Sequence, residues 1–175
     1  MIHLSKEELQ KTIEHITNSI MIAAQTAPKG RGVDTLVIQP LTDKEKESVI
    51  AKMMEIGNKQ ENAAFFLRDA KNIEDSQAVV LIGTKTEVRG LNCGLCGFAL
   101  CHEKPIQQPC IINVTDLGIA LGSAVCSAMD FKVDNRIMYS AGKAAAELQL
   151  LGAEVSCIFA IPLSVSRKSI FFDRG

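Results

Sequence analysis

The chain has 175 residues, 19 Lys and Arg against 20 Asp and Glu, and 47% hydrophobic residues. That length supports one domain with a core of its own, built without disulfide staples. Near-zero charge and 5% aromatic content exclude a basic, base-stacking surface, so nucleic acid is not an expected partner.

The opening MIHLSKEELQKTIEH carries early charges, no basic n-region and no uninterrupted apolar stretch, unlike a signal peptide. No window approaches the 18 or more apolar residues of a membrane span, so no membrane association is expected. The expectation is a soluble, cytoplasmic protein whose six cysteines are thiols or metal ligands rather than disulfides.

Leu9, Ile13, Ile16, Ile20 and Ala24 recur at helical spacing, and Ser5 with Glu8 has the capping-box form, predicting a helix over 5–26. APKGRG stops it and sets Lys29 and Arg31 in a loop, and DTLVIQP reads as a short strand. Thr42 or Asp43 caps a second helix with Val49, Met53 and Ile56 on its apolar face. A third follows, with Ala63, Ala64, Phe66 and Leu67 as its expected buried side, and AVVLIG is a central strand.

Residues 84–114 break the periodicity. They hold Gly90, Gly94, Gly97, Pro105, Pro109 and four of the six cysteines, the composition of an ordered insertion in a single domain over 1–175. From Thr115 or Asp116 a small-residue helix, apolar nearly all round, reads as the buried central helix or one side of a subunit interface. Ser140 is expected to cap the next helix, with Leu148 and Leu151 facing the core. EVSCIFAIPLS is the last strand, and Pro162 places its end at a sheet edge. Arg167, Lys168 and Arg174 surround an apolar Ile170, Phe171, Phe172 cluster expected to pack.

The constellation with most chemical content is Cys93, Cys96, Cys101 and Cys110, separated by two, four and eight residues. Four soft ligands in a glycine-rich loop suit a metal. Uneven spacing favours an iron–sulfur cluster, whose thiolates sit on different irons. Zinc, which prefers two C-x2-C turns, is the alternative, and four packed thiols without metal are the third reading. Cys126 and Cys157, in apolar elements, read as core residues. No nucleophilic triad or carboxylate pair points to hydrolysis.

The runs AQTAPKGRGVDTL, RDAKNIEDSQAVVLIG, GLNCGLCGFALC, DLGIALGSAV, DNRIMYSAGKAA and IPLSVSRKSIFFDR resemble an uncharacterised prokaryotic family of ferredoxin-domain proteins. APKG at Ala27 to Gly30 and the helix from Asp116 also resemble flavin-dependent nitroreductases in their order along the chain. The second resemblance implies an α+β fold, a mixed sheet flanked by helices, and a homodimer with FMN at the interface. It departs from that pattern in having no Arg before Arg31, which leaves Lys29, Arg31, Arg167 and Lys168 as candidate flavin-phosphate partners. Together the two resemblances imply a redox or electron-transfer protein with an unidentified electron donor or acceptor.

Overall fold

The structure is a computed structural model that describes residues 4–61 and 63–172. Arg174, part of the expected C-terminal cluster, lies outside the described residues. In chain order the elements are α1 (Lys6–Thr26), β1 (Leu36–Pro40), α2 (Asp43–Lys59), α3 (Ala64–Asp75), β2 (Ala78–Lys85), α4 (Ile111–Asp130), β3 (Asp134–Asn135), α5 (Tyr139–Glu147) and β4 (Val155–Ser164). The strands form one sheet ordered β1-β2-β4-β3. This is the expected α+β class with helices on both faces of a sheet. Every pairing among the described residues is antiparallel, where the nitroreductase likeness implies a mixed sheet.

The predicted capping box of α1 forms, and Thr42 rather than Asp43 caps α2, with Glu45 completing a second box. Ser5 accepts from the Glu8 N–H and Thr42 from the Glu45 N–H, while each glutamate reaches back to the cap. Two otherwise unpaired N–H groups are thereby satisfied at each helix start.

Strand β2 explains its unbroken apolar run by facing two cores. Val79 and Leu81 pack with Val49, Met53, Phe66 and Ala144 of α2, α3 and α5. Val80 and Ile82 pack on the opposite face with Ile16, Ile20, Leu117 and Ala124 of α1 and α4. On the first face α5 lies so close to β4 that a Cβ at Gly142 would stand 2.0 Å from the Ile158 carbonyl oxygen.

Several local expectations are corrected. Pro162 is buried inside β4, an interior strand, opposite Val79. Its missing N–H lies on the β3 side, since Ala160, two residues earlier, donates there to Met138. The pairing with β3 is interrupted between that bridge and Leu163, so no sheet bond is lost. Ala64 and Leu67 face solvent, because α3 starts at Ala64 and turns Phe66, Ala70 and Ile73 inward. Ser140 does not cap α5: Met138 holds that position, and the Ser140 hydroxyl donates to buried Asp69 at 2.6 Å.

Helix α4 starts at Ile111 rather than near Asp116. It is long and apolar enough, by length and composition, to cross a membrane, contrary to the sequence expectation. Here it packs on α1 and the sheet through Leu117, Ala120, Leu121 and Ala124. It is not buried all round: Gly118, Ile119, Gly122, Cys126 and Met129 are exposed, whereas Ala128 is buried. Cys126 is therefore a surface residue, while Cys157 is partly buried on the α4 side of the sheet.

Candidate functional site at the cysteine excursion

Between the end of β2 and the start of α4, residues 86–110 form no strand or α-helix. Left-handed backbone turns at Gly90, Asn92, Gly94 and Gly97 fold this excursion on itself. Asn has a short polar side chain that tolerates this geometry, and Asn92 uses it. Its N–H donates to the Cys101 sulfur at 3.3 Å, and its Oδ1 accepts from the Cys101 N–H at 2.9 Å. Gln108 donates to the Cys96 carbonyl at 3.3 Å.

A polar joint fixes the excursion to the body. Arg89 pairs with Asp116 at 2.6 Å, both side chains almost wholly buried. Asp116 also accepts from the Gly30 N–H at 2.9 Å, and Arg31 donates to the Arg89 carbonyl at 3.1 Å. Asn113, one turn earlier on the same face of α4, donates to the carbonyls of Lys85 and Glu87. Gly30 is required here, because a Cβ would lie 2.8 Å from Ile112 Cγ2. Sequence reading missed Arg89, Asn113 and Asp116 as site residues. Asn113 and Asp116, three residues apart in a mostly apolar helix, were the available signal, and the sequence reading uses Thr115 or Asp116 only to mark where the helix starts.

All six cysteines are free. Cys93 is exposed, Cys96 and Cys101 are half-buried, and Cys110 is buried as the residue preceding α4. Burial pushes the Cys110 thiol up. The backbone N–H groups of Arg89, Asn113 and Ile112 and the charge of Lys104 outweigh that effect and hold it below the usual thiol range. Cys157 has no such donors, and burial raises its thiol. Among the described residues, no three Cys, His, Asp or Glu side chains are grouped so as to hold a metal ion. All four thiols lie outside any disulfide on one excursion, with the Cys110 thiol held below its usual range.

The four cationic candidates divide into two pairs. Lys29 and Arg31 precede β1, whose Leu36 lies opposite Thr84, while Arg167 and Lys168 follow Leu163, which lies opposite Ala78. At about 3.4 Å per residue, the pairs flank opposite ends of the sheet, roughly 20 Å apart, too far for one phosphate. The Lys29 ammonium donates to the Gln25 and Ala27 carbonyls, with Asp34 at 3.9 Å. Arg167 and Lys168 are exposed. Within a single chain, therefore, the four residues do not fit one FMN phosphate.

Residues 107–174 match the family described as "Uncharacterized protein containing a ferredoxin domain". Of the four clustered cysteines, that span contains Cys110. An uncharacterized protein of Archaeoglobus fulgidus is 40% identical over 163 residues, spanning 87% of this chain and 86% of that protein. The chain belongs to this ferredoxin-domain family. Its fold is that of the nitroreductases. A nitroreductase of Desulfitobacterium hafniense with bound FMN covers 95% of the chain and 81% of its own length, with TM-score 0.62 and 14% identity. One from Bacteroides fragilis, also with FMN, covers 99% and 88%, with TM-score 0.59 and 12% identity. The NADPH:FMN oxidoreductase of Vibrio harveyi, complexed with NAD+, gives a TM-score of 0.56 at 13% identity. Identities this low make the likeness one of fold.

Proposed function

We propose that this ferredoxin-domain protein is an electron-transfer protein in which Cys93, Cys96, Cys101 and Cys110 ligate an iron–sulfur cluster. The observation that carries the reading is Cys110. It is buried at the start of α4, with three backbone N–H groups and a lysine charge favouring its thiolate. Such donors stabilise anionic sulfur and tune a cluster's potential. The other three thiols lie on the same excursion, whose left-handed turns allow the backbone to curl around a bound group. The cluster supplies one-electron chemistry when bound. The chain holds the thiolates, excludes water from Cys110 and joins the site to the body through Arg89 and Asp116. A reducing cytoplasm, where six unpaired thiols persist, is the compartment this reading requires.

A homodimer that meets across the exposed face of α4 completes the proposal. Gly118 and Gly122 carry no neighbour within 4 Å of a Cβ position, so a second backbone can approach closely there. An interfacial FMN would draw its phosphate partners from both copies, Arg167 and Lys168 of one and Lys29 and Arg31 of the other. Antiparallel pairing about a two-fold axis brings opposite ends of the sheet together.

Anaerobic purification with iron, sulfide and zinc analysis tests the cluster. The expected result is brown protein with iron and labile sulfide, lost in Cys110→Ser but kept in Cys126→Ala and Cys157→Ala. Colourless protein holding about one zinc per chain establishes the structural-zinc alternative instead. Addition of FMN to the purified protein, read by quenching of flavin fluorescence, tests the flavin part. Binding is expected to weaken in Arg167→Ala and Lys168→Ala.

A further inference from the structure

The geometry points to a binding site for an uncharged, planar heteroaromatic ring, with the size and edge chemistry of a nucleobase, in the cavity between α5, the open edge of β4 and the last turn of the excursion. The site uses none of the four clustered cysteines, so it stands whether or not they hold a metal.

The cavity exists because β4 outruns its neighbour. On the side away from β2, β3 pairs only with Leu163 and Ser164, and Met138 makes a single bridge to Ala160. From Val155 to Phe159 no strand among the described residues covers that edge. Ala160 directs its N–H and carbonyl to Met138, so Ile158, two residues earlier, presents its own to the same edge. An unpaired strand edge is a template for a guest with matching donors and acceptors. Helix α5 closes part of it, with Gly142 so near that a Cβ there would lie 2.0 Å from the Ile158 carbonyl oxygen. What remains is a cavity of about 330 Å³, with Gln107 and Pro109 of the excursion in its wall. That volume is at the small end of ligand sites.

The side chains of the wall set the chemistry. Tyr139 and Pro109 supply ring faces, and the Tyr139 ring rests edge-on against buried Phe66, with centroids 6.3 Å apart. Tyr139, Gln107 and Ser156 also bring a hydroxyl, an amide and a second hydroxyl to the wall, and none of these groups bonds to another described residue. The only formal charge among the lining residues is that of Lys143, which is already paired with Glu147 at 3.1 Å. Flat apolar surface, neutral hydrogen-bonding groups and no net charge together select a flat, neutral guest with donors and acceptors on its rim. A purely apolar guest would strip water from the polar groups and return no bond. An anion would have to displace Glu147 from Lys143.

The excursion wall couples the site to the rest of that segment. Between Gln107 and Pro109 lies Gln108, whose side chain donates to the Cys96 carbonyl at 3.3 Å and whose carbonyl accepts from buried Lys104. A guest that touches α5 and this turn at once braces the excursion against the body.

Equilibrium dialysis of radiolabelled adenine and uracil against the full chain at neutral pH tests the site, with benzoate as the anionic comparison. Ala146→Trp and Ser156→Trp fill the cavity, and circular dichroism checks that each variant is folded. At least one base is expected to bind saturably and more tightly than benzoate. Binding should weaken about three- to tenfold in Tyr139→Phe, which loses one hydrogen bond, stay unchanged in Lys143→Met, and disappear in the filled-cavity variants. The bound base should also slow chymotryptic cleavage within 86–110 in wild type but not in Ser156→Trp. Should Ala146→Trp fail to fold, Ser156→Trp, at an exposed position, carries the test. Absence of saturable binding by both bases overturns the inference, as does binding that survives Ser156→Trp. Benzoate bound more tightly than either base overturns it in favour of an anion site at Lys143.

Discussion

The body and the excursion are held by different physics. In the body, β2 and β4 bury alternate residues in two apolar cores. Such burial contributes about 25 cal/mol per Å² and is spread over many contacts. In the excursion, Leu91, Leu95, Leu100 and Ile106 are exposed, and order comes from a few directed bonds to Arg89, Asn113, Asp116 and Lys104. A region held this way can adapt around a ligand but is vulnerable to the loss of one partner.

The largest expected effect comes from breaking the joint between the two. Asp116→Ala strands the buried Arg89 guanidinium and the Gly30 N–H. Removing one member of a buried pair costs about 3–5 kcal/mol. Thermal unfolding should show that loss, and chymotrypsin should cut within 86–110 before the body unfolds. If cleavage and unfolding coincide, the excursion belongs to the same cooperative unit and the contrast fails. Gly142→Ala strikes the body alone, forcing a methyl against the Ile158 carbonyl. Overpacking of this kind costs about 1–3 kcal/mol. The unfolding temperature should drop while iron content in the surviving protein stays at the wild-type level.

Gly122→Leu probes the surface where the body is least covered. Among the described residues nothing beyond its own helix backbone lies within 4 Å of a Cβ there, so the fold should persist by circular dichroism. Sedimentation should show dimerisation weakened by about tenfold or more, equivalent to about 1.4 kcal/mol. Wild-type protein that stays monomeric at micromolar concentration would remove the dimer, and the interfacial flavin site with it.

The same contrast explains what could be read from the sequence. Helices α1 and α2 announce themselves through caps and an apolar period within about 20 residues, and β2 through an unbroken apolar run. The joint spans 27 residues from Arg89 to Asp116 and 86 from Gly30 to Asp116, so no local window contains it. The start of α4 was misplaced for a related reason: Cys110 makes no side-chain capping bond, and Asp116 imitates a cap while serving as an ion-pair partner. Whether α4 is the buried centre or one side of an interface stayed open in the sequence, because apolarity all round does not distinguish a covered side from an open one. Spacing made the cysteines legible as a set, but Lys104 looked like any charge beside His102 and Glu103. Only burial separates it from them.

The smallest effect tests whether the body's polar caps are as replaceable as its cores suggest. Thr42→Ala should cost about 1 kcal/mol, since it frees the Glu45 N–H at the start of α2. Glu45 adds a pH dependence. Its carboxyl is held below the usual range by the Thr42 N–H and then the Thr42 hydroxyl, with burial opposing them. A folded value below the unfolded one means that ionised Glu45 contributes stability that is fully present above the unfolded value, about 4.3, and is lost as pH falls through the folded one. The stability gap between wild type and Glu45→Gln should therefore be constant from about pH 6 to 8 and close below about 4. Glu45 is only partly buried and its bonds to Thr42 lie at the solvent-exposed helix start, so the gap should amount to only a few tenths of a kcal/mol. A gap that widens in acid would mean the carboxyl acts in its protonated form, and the start of α2 would then rest on burial, as its core face does.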